Sequence, residues 1–150
     1  MTGNDLNDSL ESVLIVDNQI FKYEEGGQVF QGLPDVVRTV FFVKDEENTP
    51  EHAAMLHSIA KACNLQESAY AIISCRFGWK DLRGFENIRE VILMGVGERE
   101  LDVMIDIPLH YVYGFDGRNW IRTVDIATLK LNTEAKSVFW KDVLKPYFLG

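Results

Sequence analysis

Residues 40–74 read VFFVKDEENTPEHAAMLHSIAKACNLQESAYAIIS. Val40-Phe41-Phe42-Val43 is an apolar run without alternation, the pattern of a strand covered on both faces in a parallel sheet. Thr49-Pro50-Glu51 then offers an N-cap followed by a proline at the first helical position. Met55, Leu56, Ile59, Ala62 and Cys63 recur at helical spacing, and Asn64 is a plausible stop. Tyr70-Ala71-Ile72-Ile73-Ser74 is a second buried strand. Strand, capped helix and strand make a βαβ unit, which sets the fold class as α/β.

The same alternation continues outward. Val91 to Val96 reads as a third buried strand, ended by Gly97, and Glu98 to Leu101 opens a helical turn. Between them, Arg76 to Asn87 holds a short helix or an irregular crossover. His110 to Tyr113 and Trp120 to Thr123 flank Phe115-Asp116-Gly117-Arg118, and Asp-Gly between alternating runs signals a hairpin. Leu131 to Phe148 is a helix capped by Asn132 or Thr133, with Phe139, Trp140, Val143, Leu144 and Tyr147 on one face. Pro146 should distort its last turn. The expected domain is a mainly parallel sheet of about four strands plus a C-terminal hairpin and final helix. Residues 1–36 form a lead-in. In it Leu6, Leu10, Val13 and Leu14 suit a short amphipathic helix, and two short strands flank Gly26-Gly27. Gly32-Leu33-Pro34-Asp35 marks its boundary with residues 37–150.

Composition limits the function. The chain has 150 residues, 47% of them hydrophobic, with 23 acids, 15 bases and a formal net charge of -8. That excludes general disorder, and no apolar run approaches the ~20 residues of a membrane span. The polar stretch Met1 to Asp8 is no secretory signal. Two cysteines, Cys63 and Cys75, make no disulfide framework, so a reduced, cytoplasmic protein is expected. Residues 1–60 hold 11 acids and 3 bases, and the remainder balances, so all the net charge lies in the first part. Such a chain is a poor direct binder of nucleic-acid backbones.

A search for chemistry finds no catalytic motif. His52 and His57 stand about 140° apart around a helix, which diverges them as metal ligands. Ser74-Cys75 ends a strand without the Gly-x-Ser-x-Gly elbow of a nucleophile. Gly95-Val96-Gly97 lacks the third glycine of a phosphate-binding turn and suits a positive-φ turn instead. Asp45, Glu46 and Glu47 follow the first strand's carboxyl end, where ligand sites gather, but a solvated acidic loop before the Thr49 cap is the preferred account. No metal and no cofactor is expected. Trp79, with Arg76, Lys80 and Arg83 near it, Trp120 and Tyr113 are the candidate exposed aromatics for a protein contact.

The C-terminal third carries a resemblance. Arg122-Thr123-Val124-Asp125-Ile126-Ala127-Thr128-Leu129 is followed by Leu131-Asn132-Thr133-Glu134-Ala135-Lys136, then by Val138-Phe139-Trp140-Lys141-Asp142-Val143-Leu144. This resembles the closing pattern of the psi subunit family of bacterial DNA polymerase III: a short turn, an Asn-containing cap, a lysine and an aromatic-Trp pair on the last helix. The serine of the family's turn is absent, with Ile126 or Thr128 near its place. The resemblance implies a three-layer α/β/α sandwich related to uracil-DNA-glycosylase folds. It also implies a non-catalytic adaptor between the clamp loader and a chi-like partner. Leu6, Leu10, Val13 and Leu14 stand where the family's clamp-loader peptide lies. The related fold supplies a rival reading, a base-excising hydrolase. Against it, the two loops that would carry the chemistry read Lys44-Asp45-Glu46-Glu47 and Thr123-Val124-Asp125-Ile126, with no histidine in either. A third reading is a stand-alone interaction domain with no role in replication.

Overall fold

In a computed structural model, which describes residues 20–21, 32–74, 82, 84–101 and 103–150, the three non-alternating runs are strands. They are β2 (Thr39–Phe42), β3 (Tyr70–Ile73) and β4 (Glu90–Met94), and every residue in them is buried. A strand buried on both faces needs a layer on each side, and the chain builds both. The sheet also holds β1 (Ile20–Phe21), β5 (Val112–Phe115) and β6 (Arg118–Thr123). Its order is β1-β3-β2-β4-β6-β5. All neighbours pair parallel except β5 and β6, which are antiparallel. The fold is therefore α/β, with a mainly parallel central sheet between two layers.

Register explains the two cores. Phe41, Ile72, Ile92 and Ile121 lie side by side across β2, β3, β4 and β6 and face the helical layer. Val40, Ala71, Val91 and Trp120 form the adjacent row and face the other way. The helical layer consists of α1 (Pro50–Ala62), α2 (Ile126–Leu131), α3 (Thr133–Val138), a π-helical turn (Phe139–Leu144) and α4 (Lys145–Leu149). Thr49 caps α1 through the His52 amide, with Pro50 at the first position, as the sequence predicts. Asp125 and Asn132 cap α2 and α3 through the amides of Thr128 and Ala135. The distortion expected near Pro146 is the π turn just before it. Proline has no N–H, and the Lys145 N–H reaches back five residues to the Trp140 carbonyl.

The opposite face is covered by residues 32–38, by Leu82 and residues 84–88, and by residues 96–101 and 103–107, which include a 3-10 turn (Glu98–Leu101). These irregular segments need fixed anchors. The buried Arg118 provides one: its Nε donates to the Ile88 carbonyl at 2.9 Å, and one terminal nitrogen donates to Leu82 and Phe85 carbonyls at 2.8 Å. Its other terminal nitrogen pairs with Asp116. Burial pulls the Arg118 pKa below its usual value, against the opposing pull of Asp116 and Glu86.

Two expectations change. The parallel sheet is larger than about four strands, because β1 from the lead-in adds to one edge and the hairpin is not an appendage. Its second strand, β6, lies in the sheet beside β4. That position corrects the reading of Trp120 as an exposed aromatic. Its side chain is 0% exposed, and its Nε1 donates to the Phe115 carbonyl at 3.0 Å.

Candidate functional site

In open parallel sheets, ligands gather at the carboxyl ends of the strands, where the order reverses. Here that point lies beyond β2 and β4. Glu47, in a 3-10 turn (Asp45–Glu47) after β2, is buried. Its carboxylate accepts from the amides of Ile126, at 2.9 Å, and Ala127, at 3.3 Å. One member of the acidic cluster is thus the anchor of α2, the stabilising place for an anion at a helix start. Beside it Ser74 accepts from Asn48 Nδ2 at 2.7 Å, and Thr123 Oγ1 bonds His110 Nε2 at 2.9 Å. Glu98 accepts from the Ile107 amide at 2.5 Å. Burial pulls the His110 pKa down, against the opposing charge of Asp142. The polar groups at this end hold loops to each other.

Gly95 ends β4 as a turn glycine, with φ +72°. A Cβ added there would stand 2.5 Å from Asp125 Cβ and 2.7 Å from its Cα. Left-handed strain and a backbone clash together predict that Gly95→Ala costs about 2–4 kcal/mol, read as a shifted urea midpoint with unchanged slope.

The histidines of α1 diverge as expected. His52 Nδ1 bonds the Glu47 carbonyl at 2.9 Å, and His57 Nδ1 bonds the Tyr70 hydroxyl at 2.5 Å. Among the described residues no three His, Cys, Asp or Glu side chains group as metal ligands. The Cys63 thiol is buried and its pKa is pushed up to about 11, which leaves it a poor nucleophile. Among the described residues no helix is long and apolar enough to cross a membrane.

The amino end of the sheet holds a second polar cluster. Glu90 is 1% exposed. It accepts from Arg38 Nε at 2.9 Å and its terminal nitrogen at 2.5 Å, from Thr39 Oγ1 at 2.8 Å and from the Tyr147 hydroxyl at 2.6 Å. Asn119 Nδ2 donates to the same hydroxyl at 2.7 Å. Burial raises the Glu90 pKa, but the bonds from Arg38, Tyr147 and Thr39 outweigh it and hold the carboxyl below its usual range. This network ties α4 to β2, β4 and β6.

The feature that faces outward is β5. Asp116 and Gly117 both have positive φ, so they form the two-residue hairpin turn. In that hairpin the closing pair Phe115–Arg118 exchanges its backbone bonds, and alternation then turns the N–H and C=O of Val112 and Gly114 away from β6. Among the described residues no strand pairs with that side. Tyr111, 66% exposed, Leu109 and Val112 border it, and Met104, 72% exposed, precedes them. Neither lysine nor proline, the usual guards of a free edge, occurs in Val112–Phe115.

Of the residues singled out in the sequence, Tyr113 lies on this strand, half-buried and packed against the core. Leu6, Leu10, Val13, Leu14 and Trp79 lie outside the described residues. Tyr111, Val112, Leu109 and Met104 were missed by sequence reasoning. The signal that finds them is the Asp-Gly register, which fixes which side of the strand is free.

No protein-family model matches the chain, and no curated protein matches its sequence.

Proposed function

We propose that the chain is a non-catalytic protein-interaction subunit that offers the free edge of β5 to a partner. On the resemblance of its C-terminal pattern, it is a psi-like adaptor in DNA replication, linking the clamp loader to a chi-like accessory protein in the cytoplasm. One observation carries the interaction reading: an edge strand whose outer side no other described strand pairs, flanked by exposed Leu109, Tyr111 and Val112. Unpaired edges of this kind add a strand from another chain, with backbone bonds supplying affinity and side chains supplying selectivity. The excision reading is disfavoured by Glu47, whose carboxylate joins the two loops between which a base would have to enter.

The test is affinity capture of the tagged full chain from its native cell, with partners identified by mass spectrometry. Clamp-loader subunits are expected with the wild type and at least tenfold less with Val112→Lys, which blunts the edge while leaving folding stability within ~0.5 kcal/mol. Equal recovery contradicts the edge as the contact. Partners from outside replication favour the stand-alone interaction domain, and base excision by the purified chain refutes the non-catalytic reading.

A further inference from the structure

Gly114 stands within the outer strand of the sheet, and nothing inside the fold calls for a glycine there. Its φ lies outside the left-handed region, which among the described glycines holds Gly95 and Gly117. A Cβ added to it would meet no described atom within 4 Å. A strand glycine that serves no turn and no internal contact marks a place where another backbone comes close. Val112 and Gly114 share one face of β5, on either side of Tyr113. That face therefore offers an exposed branched side chain and, two residues on, a bare Cα.

The same two residues turn their N–H and C=O groups outward. A two-fold axis at Tyr113 sets Val112 of one copy opposite Gly114 of another. Each such pair exchanges two N–H···O=C bonds, which uses all of the outward groups. It also lays each Val112 side chain over the bare Gly114 of the other copy. Exposed Tyr111 then stands opposite Phe115, and aromatic cross-strand pairs add to sheet pairing. An edge in which position 112 fits position 114, and 114 fits 112, is self-complementary, as a two-fold interface requires. Charge permits the meeting. Leu109 to Phe115 contains no Asp, Glu, Lys or Arg, and residues 61–150 balance. β1, the described strand of the acidic lead-in, lies at the opposite edge of the sheet.

We propose that the β5 edge closes on a second copy of the chain, antiparallel and with Val112 opposite Gly114, which joins two six-stranded sheets into one. This rests on the reading of β5 as an interaction edge and names the occupant that it takes when no other partner is bound. A four-residue strand makes a small interface, and interfaces below ~1,200 Å² are transient. The dilute chain is therefore monomeric, and a partner strand displaces the second copy.

Sedimentation equilibrium of the full chain tests the association. The average mass should rise from one chain towards two between about 1 μM and about 1 mM, the range of weak contacts. Val112→Lys should raise the dissociation constant at least tenfold. Register is read by cross-linking in the Cys75→Ser chain, whose other thiol, Cys63, is buried. Under mild oxidation a mixture of Val112→Cys and Gly114→Cys chains should form a disulfide dimer at least tenfold faster than either chain alone. Position 112 faces 114 within disulfide reach but stands out of register with its own copy. A mass of one chain throughout overturns the proposal, even where Val112→Lys still loses a captured partner and the edge reading stands. Dimers that Val112→Lys leaves intact, or equal cross-linking in the three reactions, place the contact on another surface and overturn it as well. A register-specific dimer supports it, even where capture of other proteins is unchanged by Val112→Lys and the adaptor reading of the edge fails.

Discussion

Arg118→Met is expected to destabilise the fold by about 3–5 kcal/mol. The guanidinium is buried and serves four main-chain carbonyls, those of Leu82, Phe85, Ile88 and Asp116, besides the Asp116 carboxylate. Methionine fills much of the space but removes that donor; the Leu82 and Phe85 carbonyls keep the amides of Phe85 and Ile88, whereas the Ile88 carbonyl loses its guanidinium partner, and an unmet buried acceptor costs about 1–3 kcal/mol. Arg118→Lys keeps the charge but loses the planar fork that reaches several acceptors at once, so it should fall between the two. Urea denaturation of the three proteins checks this ordering. A loss below 1 kcal/mol in Arg118→Met would show that water replaces the guanidinium and that the segment through residues 84–88 is held by its side chains alone.

Glu90→Ala is the second large effect, expected at about 2–4 kcal/mol. Arg38 is half-exposed and recovers water when the carboxylate goes, whereas Thr39 and Tyr147 lose a buried acceptor. The change also removes one tie between α4 and the sheet and leaves the bond from Asn119 to the Tyr147 hydroxyl. Its pH dependence follows from the depressed carboxyl. The folded pKa lies below the ordinary 4.5, so the stabilisation is complete above that value and is lost as pH falls through the folded value. Wild type should therefore lose stability more steeply than Glu90→Gln in acid below 4.5, and the two slopes should agree at neutral pH. Parallel curves throughout would mean that the network does not hold the proton equilibrium.

How far the sequence was legible depends on how local each signal is. The run Val40 to Val43, the Thr49-Pro50 cap and the Asn132 cap are decided within a few residues, and each stands where the pattern places it. The partner of a strand is decided across the chain. Nothing in Trp120 to Thr123 says that this strand lies beside Glu90–Met94, and without that neighbour Trp120 reads as half-exposed. With it, Trp120 and Ile121 are buried on opposite faces. Arg118 and Glu90 were hidden for the same reason. A charged residue at a strand end reads as solvated until the carbonyls and hydroxyls that surround it are known. The β5 edge sits between the two cases. Tyr113 marked the strand, but the hairpin register turns its ring onto the core and leaves Tyr111 and Val112 outside.

The interaction reading rests on the backbone of β5, and amide hydrogen exchange of the full chain with and without its captured partner measures that backbone directly. The Val112 and Gly114 amides, turned away from β6, should exchange fast in the free protein and slow at least tenfold in the complex, while Tyr113 and Phe115 stay protected in both. A complex that forms with Val112 and Gly114 exchanging as fast as in the free protein would contradict edge-strand recognition and place the contact on another surface.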